Sequence, residues 1–412
     1  MTRQRRGAVP QEHPRLAALR GTLDRQSFNA RRVAALADNP GCRRRAAGDV
    51  SGADLEQLSN AAGVVPSYGQ SPFAIDRGNR FENLLKRGSN YDKLFAVLHE
   101  ALGLPLNDIR FEDLGDDGTL PVIAGEGPRD REYRRLRRRA LRTRQALRTI
   151  VNDPAPTVLD HPVLTLSIGG SPVFLEPDAL AAVLVGTQLT VVEIKSFANV
   201  DGVVPRDKAG PAARQIAVYV LALQQLLASI GHDITMVNLD ALLITPMNTT
   251  TAEAVGNIVP VGHQVNLLRR QLNRVEDLNT LLEHYPADFT LDPQAVIDLL
   301  PPTASEEDRH EAVKANLRRI PANYLPTCRS NCMLGELCHR DVVDAGHPAL
   351  LGPEARTTLA GIHDLRQAAR IAAGTPHPAD NDIDPTVALA LRRARRTEQA
   401  AQAAAQRRRA AA

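Results

Sequence analysis

The stretch FLEPDALAAVLVGTQLTVVEIKSF, residues 174–197, carries Asp178 on one apolar run and Glu193 and Lys195 on the next. Only five of the 50 basic residues in the chain are lysines, and the other 45 are arginines. Side chains alternate along a strand, so Glu193 and Lys195 share one face, as do Glu176 and Asp178. If the two runs pair as neighbouring strands, carboxylates and one ammonium group converge.

Such a group of side chains suits Mg²⁺ or Mn²⁺, because hard divalent cations prefer oxygen ligands. We expect Asp178 and Glu193 to bind the cation, with the backbone carbonyl of Ile194 as a further ligand. A cation held there polarises a phosphodiester and lowers the pKa of a bound water molecule. The compact ammonium group of Lys195 then positions or helps to deprotonate the water and neutralises developing charge. Taken alone, an acid-x-Lys pair is more often a solvated surface ion pair.

The segments around this stretch alternate between strand and helix patterns. Apolar runs over 161–170, 171–183 and 188–197 predict a meander of at least three strands. The pattern predicts a helix over 211–231, a strand over 239–247 and a long helix over 261–285. Strands flanked by helices indicate an α/β or α+β core with a mixed β-sheet.

The front of the chain predicts short helices. We expect a helix over 27–42 that ends at Cys42, a second over 51–63 with Ser51 as its N-cap, and a third capped by Asp76. The third helix carries Phe81, Leu84 and Leu85 on one face, with Glu82 beside them. The expected organisation is a flexible basic arm over 1–28, a domain over 29–345 and a helical extension with an Ala/Arg-rich tail over 346–412.

The cysteines are arranged as one residue near the front and three close together. The four are Cys42, Cys328, Cys332 and Cys338. A four-thiolate site that holds zinc or an iron–sulfur cluster needs such a set. The alternative is four unrelated buried thiols. His339, which follows Cys338, is a substitute ligand that keeps a zinc site as the lesser alternative.

The distribution of charge favours a polyanionic partner. The formal net charge is only +3, but ten arginines lie between Arg129 and Arg148, and a second cluster runs from Arg392 to Arg409. Aromatic residues make up 3% of the chain and tryptophan is absent, which favours contact with phosphates over base stacking. The alternative for the arginine helix is a solvated surface.

The termini and apolar runs predict no membrane segment. The first residues are basic, but no apolar signal-peptide region follows them, and no run approaches the roughly 18 apolar residues of a membrane span. We therefore expect a cytoplasmic protein.

A pair of polar residues follows on the helix after the second acidic strand. Gln215 and Tyr219 are four positions apart and share one stripe of an otherwise apolar helix, where the alternative is an ordinary boundary pair. In this order the motifs resemble the PD-(D/E)XK nuclease superfamily, in particular its RecB-like branch. The matching residues are Pro177-Asp178, Glu193-Ile194-Lys195, and Gln215 with Tyr219. The segment RGNRFENLL, residues 77–85, resembles the first motif of that branch and assigns Glu82 as a further metal ligand.

The resemblance implies a restriction-endonuclease-like mixed sheet flanked by helices. It also implies a metal-dependent deoxyribonuclease that acts, as an exonuclease, on DNA ends or single strands in repair, recombination or defence. Gln215 and Tyr219 then orient Lys195 or the substrate phosphate, and Lys208, Arg134 and Arg138 contact the DNA backbone.

The cysteines resemble those of iron–sulfur members of the branch, including the AddB nuclease domain and CRISPR-associated exonucleases. In those proteins a 4Fe–4S cluster joins the helical segments before and after the core. The chain departs from the family in the spacing of its last three cysteines, x3 and x5 in place of x2 and x5, and in having Glu82 where histidine is common. It has no GxxxxGK[ST] motif, so a helicase motor, if one is needed, must be a separate chain. A helicase or another defence or repair subunit is accordingly an expected partner beside DNA.

Two other classes of function remain open at this stage. One is a catalytically silent DNA-binding or scaffold subunit of a larger nuclease complex. The other is a redox-regulatory iron–sulfur protein, whose activity depends on the cluster and not on the carboxylates.

Overall fold

The computed structural model forms two compact units. It describes residues 13–67, 72–86, 91–105, 108–115, 121, 128–169, 171–183, 188–201, 203–248, 253–275, 277–375, 377–380 and 382–410. Unit 1 comprises Met1–Gly41, Ala46–Ala53 and Gln70–Leu291, and unit 2 comprises Cys42–Arg45, Asp54–Gly69 and Asp292–Ala412. Unit 1 contains residues on both sides of the expected boundary at 28/29, and unit 2 contains residues on both sides of the boundary at 345/346. The expected division into three parts stays a prediction.

Within the described residues, the strands of unit 1 form a six-stranded mixed sheet and a separate hairpin. The strands are β1 (Arg110–Asp113), β2 (Thr157–Asp160), β3 (Leu164–Ile168), β4 (Ser171–Leu175), β5 (Ala179–Val183), β6 (Gln188–Ile194), β7 (Asp240–Pro246) and β8 (Ala254–Pro260). The sheet has the order β1-β2-β5-β6-β7-β8, and β3 pairs with β4. Strands β1/β2 and β6/β7 are parallel and the other pairs are antiparallel. The expected mixed sheet with flanking helices is confirmed.

The strand predicted over 171–183 is in fact two strands. It breaks at Glu176-Pro177-Asp178, so β4 pairs only with β3, whereas β5 pairs with β2 and β6. Pro177 has no backbone N–H to donate to a sheet, which favours a break at this point. The predicted three-strand meander is therefore wrong, although its pairing of 179–183 with 188–192 is correct.

The helices fall partly where the sequence predicts them. They are α1 (Pro14–Arg20), α2 (Ala30–Asp38), α3 (Arg43–Ser51), α4 (Leu55–Ala61), α5 (Pro72–Lys86), α6 (Asp92–Leu102), α7 (Pro128–Asn152), α8 (Arg206–Ser229), α9 (Gly262–Leu272), α10 (Leu278–Glu283), α11 (Pro293–Ile297), α12 (Glu306–Arg318), α13 (Cys328–Asn331), α14 (Gly335–Asp344), α15 (Pro353–Thr358), α16 (Leu365–Ala373) and α17 (Pro385–Ala410).

Several predicted helix ends are wrong because side chains cap other positions. Asp54, not Ser51, accepts hydrogen bonds from the first turn of α4, and Ser51 is the last residue of α3. Asp76 lies inside α5, where it pairs with Arg80. The long helix over 261–285 is two helices, because Asp277 accepts the backbone N–H groups of Asn279 and Thr280 and starts α10 anew.

The second half of the predicted arm is ordered. Leu16 and Leu19 of α1 are buried, and Arg15 donates hydrogen bonds to the carbonyls of Pro286 and Phe289. Leu291 N donates to Leu19 O at 2.7 Å. Residues 13–28 are therefore not a flexible arm, whereas residues 1–12 lie outside the described part of the chain.

The sheet of unit 1 buries both of its faces. One face packs with α2, α8 and α9 and carries Leu180, Val191 and Leu243. The other packs with α5 and α6 and carries Ala181 and Val192. Since neighbouring positions on a strand alternate between faces, the continuous apolar runs of β5, β6 and β7 serve both cores.

The last helices of unit 2 pack around a small apolar cluster. Leu359, Ile362, Ala368 and Ile371 are buried there, and Leu391 of α17 packs against them. The predicted helical tail after Pro353 is confirmed. From Arg392 to Ala403 the side chains of α17 are exposed, so its arginines lie on a helix surface.

Among the described residues, no helix has both the length and the apolar character that crossing a membrane requires.

The close packing of β8 on α6 yields a stability prediction. A Cβ at Gly256 meets Ala101 Cβ and Leu242 Cδ1 at 2.9 Å and Val97 Cγ1 at 3.1 Å. Gly256→Val is expected to lower the free energy of unfolding by about 1–3 kcal/mol, because the added methyl groups overpack this contact. Denaturant unfolding measures the change.

Gly210→Ala is the matched control. A Cβ at Gly210 in α8 has no atom within 4 Å among the described residues, and alanine favours a helix. This variant is expected to be as stable as the wild type or more so. Equal unfolding midpoints for Gly256→Val and the wild type would contradict the described packing.

Candidate functional site

The register of β5 against β6 brings the predicted carboxylates together. Ala179 pairs with Val192, so Asp178 lies level with Glu193 at the ends of the two strands. Ile194 N donates a hydrogen bond to Asp178 Oδ2 at 2.6 Å, and Lys195 Nζ contacts Glu193 Oε1. Asp178, Glu193 and Lys195 therefore meet at one point.

Glu193 is buried and incompletely partnered. The residue is 1% exposed, and its buried Oε2 has no hydrogen-bond partner among the described residues. Burial, followed by the charge of Asp178, raises the pKa of Glu193 to about 8 although Lys195 opposes the shift. Burial likewise raises the pKa of Asp178. Two crowded carboxylates in this state favour binding of a proton or a metal cation.

Lys195 keeps its positive charge. Burial lowers the pKa of Lys195, but the charges of Glu193 and Asp178 outweigh that effect, and the pKa is raised overall. The ammonium group is therefore a cation beside the two carboxylates and not a base.

Glu82 lies in a network that the sequence did not predict. Phe81 and Leu85 are buried in the core beside α5. Glu82 Oε1 accepts from Lys86 Nζ at 2.6 Å and lies 3.1 Å from His161 Nε2. Glu82 also raises the pKa values of Asp178 and Glu193, so its charge reaches the two crowded carboxylates.

Asp160 at the end of β2 completes this network. Its side chain is 3% exposed, with Oδ1 2.7 Å from Lys86 Nζ and Oδ2 3.1 Å from His161 Nδ1. Lys86 Nζ also lies 3.4 Å from the carbonyl oxygen of Asp178, and His161 N donates to that oxygen at 3.2 Å. Lys86 and His161 thus connect Glu82 to the backbone beside Asp178.

Three side chains of this network have pKa values shifted towards their charged forms. Hydrogen bonds with Asp160 and Glu82 raise the pKa of His161 to about 10. Burial alone would raise the pKa of Glu82, but His161 and Lys86 lower it to about 2. Burial lowers the pKa of Lys86, yet the charges of Asp160 and Glu82 raise it overall. Two cations therefore balance two anions.

Asp113 extends the network to a possible metal-ligand group. Ligand atoms of Asp113, Asp160 and His161 all lie within 4.8 Å of one another. Asp113 Oδ1 accepts from Gly115 N at 2.7 Å, and Asp160 is paired with Lys86 and His161. The group is therefore held together by its own contacts.

Gln215 and Tyr219 lie on α8 as predicted. Gln215 Nε2 lies 3.3 Å from Tyr219 OH, and Tyr219 is 5% exposed. Burial and then the charges of Glu193 and Asp178 raise the pKa of Tyr219 well above its usual value, so its hydroxyl stays neutral. Tyr219 is therefore close enough to the two carboxylates for their charge to shift its pKa.

The predicted DNA-contacting residues lie on two helices. Arg138 is exposed on α7, and Arg134 donates to the carbonyl of Pro121 at 2.9 Å. Lys208 is exposed in the first turns of α8 and not in a preceding loop, because α8 begins at Arg206.

The arginine-rich helix α7 also has a structural role. Arg139 is 3% exposed and binds both carboxylate oxygens of Glu176, at 2.6 and 3.0 Å. It also donates to the carbonyls of Leu114 and His161. Glu176 therefore pairs with α7 and does not join Asp178, which corrects the expectation that the two share a face.

The four cysteines all belong to unit 2. Cys42, Cys332 and Cys338 are buried and Cys328 is half-buried. Cys332 N donates to Cys328 O at 2.9 Å, and a Cβ at Gly335 would lie 2.2 Å from that oxygen, so only glycine fits there. The close turn positions α13 against α14 around the cysteines.

The thiols of Cys42, Cys332 and Cys338 are close enough to affect one another. Burial raises the pKa of Cys332 to about 12 and of Cys338 to about 11, and neighbouring cysteines, Cys42 among them, add to both shifts. Among the described residues, no three of the sulfur atoms lie within 4.8 Å of one another. A single tetrahedral zinc ion needs sulfur atoms about 3.8 Å apart.

The sequence did not reveal Lys86, Asp160 and His161 as residues of the site. They lie on α5 and at the end of β2, and no fixed spacing links them to Glu193. The one signal was the rarity of lysine, because Lys86 is also among the five. It is the partner of Glu82 four residues along the helix.

No protein-family profile matches the chain, and no curated protein matches its sequence.

The buried Lys86–Asp160 pair yields a second stability prediction. Lys86→Met is expected to lower the free energy of unfolding by about 3 kcal/mol, because Asp160 stays buried without its closest cation. Urea unfolding at neutral pH measures the loss. Lys93→Met is the control: Lys93 is exposed on α6, and its replacement is expected to change stability by less than about 0.5 kcal/mol. Equal losses in the two variants would argue against the buried network.

Proposed function

We propose that the chain is a metal-dependent DNA nuclease, with exonuclease action on ends or single strands. The observation that carries the proposal is the meeting of Asp178, Glu193 and Lys195, with Glu193 Oε2 buried and without a hydrogen-bond partner among the described residues. Two buried carboxylates beside an ammonium group suit phosphodiester hydrolysis with a divalent cation. The biological setting proposed for this activity is DNA repair, recombination or defence against foreign DNA.

The proposed ligands of Mg²⁺ or Mn²⁺ are Asp178, Glu193, the carbonyl of Ile194 and Glu82. The orphaned Glu193 oxygen and the raised pKa values of Asp178 and Glu193 fit a cation, since a cation relieves their repulsion. When bound, the cation supplies Lewis-acid activation of the phosphodiester and of a water molecule. The charge of Glu82 raises the pKa values of Asp178 and Glu193. Glu82 Oε1 itself contacts Lys86 and His161.

Lys195 acts in this proposal as a cation. Its raised pKa disfavours the role of a base, so of the two roles expected from the sequence we favour neutralisation of charge on the phosphate and positioning of the water. Gln215 and Tyr219 orient Lys195 or the phosphate, since the neutral Tyr219 hydroxyl can donate a hydrogen bond. Lys208, Arg134 and Arg138 contact the DNA backbone.

A 4Fe–4S cluster bound by Cys42, Cys328, Cys332 and Cys338 is part of the proposal, with zinc as the lesser alternative. The thiol donors suit either centre. His339 Nδ1 lies 2.9 Å from Tyr324 OH, so Nε2 is the ring nitrogen that would bind the metal in the zinc alternative.

A catalytically silent DNA-binding subunit is the second candidate. Lys86 and His161 already neutralise Glu82, and this arrangement makes one proposed ligand less available to a metal cation. In this case the partner is a separate catalytic or helicase subunit.

The nuclease assay tests the first candidate. Full-length protein, purified without oxygen, is incubated with end-labelled single-stranded DNA, duplex DNA and closed circular DNA in Mn²⁺ or Mg²⁺. Lys195→Ala and Glu193→Gln are each expected to lower the cleavage rate about 100-fold or more, because the first removes a cation beside the scissile phosphate and the second weakens a ligand of the metal ion. Lys93→Ala is the matched lysine control and is expected to cleave at the wild-type rate.

The outcomes separate the two candidates. Cleavage by wild type that Lys195→Ala retains contradicts the proposed site. A folded wild-type chain that binds DNA but cleaves none of the substrates supports the silent subunit. Resistance of the circular substrate alone indicates action from ends.

The cysteine centre has its own test. Cys332→Ser is expected to lose the visible absorbance of the anaerobically purified protein and to lower its melting temperature by about 5 °C or more, because a metal centre stabilises only the folded chain. Absorbance spectroscopy, metal analysis and thermal unfolding measure these effects. Unchanged absorbance and iron content in Cys332→Ser would rule out Cys332 as a ligand.

A further inference from the structure

Two consecutive arginines after Cys42 are buried in unit 2. Arg44 and Arg45 open helix α3 and are 5% and 7% exposed. Burial of a guanidinium group costs several kcal/mol unless anions or well-placed acceptors surround it. Most arginines among the described residues are exposed, so the burial of these two indicates a specific partner.

Each of the two arginines lies near a different cysteine. Arg44 Nη1 donates to Cys338 Sγ at 3.4 Å, while its Nε donates to the carbonyl of Ile320 at 3.0 Å. Arg45 Nη1 donates to Asn331 O at 3.0 Å, beside Cys332, whose thiol feels the Arg45 charge. The main-chain contacts hold both guanidinium groups beside the sulfur atoms.

Asp341 pairs with Arg44 but is shared with Arg318, which also pairs with Glu311 at 2.6 Å. Its Oδ2 lies 3.3 Å from Arg44 Nη1, but its Oδ1 accepts from Arg318 Nε at 3.0 Å and Nη2 at 2.9 Å. One carboxylate therefore serves two guanidinium groups. Protonated thiols add no charge, whereas thiolates bound to metal add several.

We infer that Arg44 and Arg45 compensate the charge of a four-thiolate metal centre, and that Arg44 tunes it through the hydrogen bond to Cys338. This inference rests on the proposed cofactor. Four thiolates leave a net charge of about −2 on a zinc ion or on an oxidised 4Fe–4S core. Two buried guanidinium groups supply the opposite charge. Arg44 and Arg45 are positioning and tuning residues and not metal ligands.

The consequence is a shift in the redox properties of the centre. Net charge and hydrogen bonds to sulfur set the potential of an iron–sulfur cluster. Reduction adds one negative charge, so neighbouring cations stabilise the reduced cluster more than the oxidised one. Loss of the Arg44 charge therefore lowers the reduction potential.

The test compares Arg44→Gln, Arg45→Gln and Arg340→Gln in the full chain, purified without oxygen. Arg340 is the matched control, because it follows Cys338 by two positions but its side chain is 56% exposed and pairs with Glu336. A redox titration followed by visible absorbance gives the midpoint potential. Arg44→Gln is expected to reduce the ratio of reduced to oxidised cluster about tenfold at a fixed potential, or 59 mV for one electron. Arg45→Gln is expected to change the ratio in the same direction, and Arg340→Gln by less than about threefold.

A shift in Arg44→Gln no larger than that in Arg340→Gln, at equal iron content, would overturn the inference. If Arg44→Gln does not retain iron, Arg44→Lys decides, because lysine keeps the charge. Iron content near the wild-type value in Arg44→Lys supports charge compensation, and equal loss in both variants contradicts it.

Metal analysis of the wild type separates the possible centres. If the protein contains zinc, the rate of zinc transfer to a chelator replaces the potential, and Arg44→Gln is expected to release zinc about tenfold faster than Arg340→Gln. Equal release rates overturn the inference. If reconstitution with iron and sulfide or with zinc yields no Cys332-dependent metal, the inference fails together with the proposed centre. The Lys195 nuclease assay then still tests the proposed catalytic site.

Discussion

The pairing register of β5 with β6 is the constraint on which the candidate site depends. It sets Asp178 level with Glu193, and both side chains then lie at strand ends beside Lys195. A slip of one residue would turn the side chains of one strand to the opposite face and separate the carboxylates. Both faces of the sheet are packed with apolar side chains, so such a slip would also expose the core. The same apolar residues that stabilise the fold therefore hold two repelling carboxylates at one point.

A second set of charges supports this point from α5 and β2. Lys86 and His161 bind Glu82 and Asp160, and both also contact the backbone carbonyl of Asp178. Lys86 and His161 both pair with Glu82 and with Asp160, whereas among the described residues Glu193 pairs with the single cation Lys195. Burial raises the pKa values of Asp178 and Glu193, and Lys195 does not offset it, whereas for Glu82 the contacts with His161 and Lys86 outweigh burial and lower the pKa. Of the two groups, the one that we propose as metal ligands therefore holds the carboxylates with raised pKa values.

Unit 2 presents the opposite electrostatic pattern. Buried Arg44 and Arg45 lie beside thiols, and Asp341 is shared between Arg44 and Arg318. Guanidinium groups therefore lie near the thiols, whereas carboxylates lie together at Glu193. Both sites hold buried charge that a ligand of opposite sign would stabilise. We therefore propose that the carboxylate site binds a cation and that the cysteine site holds an anionic metal–thiolate centre.

The sequence by itself determined the mixed sheet with flanking helices, the pairing of 179–183 with 188–192, and the contact between Gln215 and Tyr219, because these follow from local periodicity and short spacings. Only the tertiary structure decided that Glu82 binds Lys86 and His161, that Glu176 pairs with Arg139, and that Arg44 donates to Cys338. Three of these contacts join residues far apart in the chain: Glu82–His161, Glu176–Arg139 and Arg44–Cys338. The Glu82–Lys86 pair is local, but its link to Asp160 through Lys86 also depends on the tertiary structure. Packing brings such residues together, and the energy of a buried charge depends on every neighbour that packing supplies.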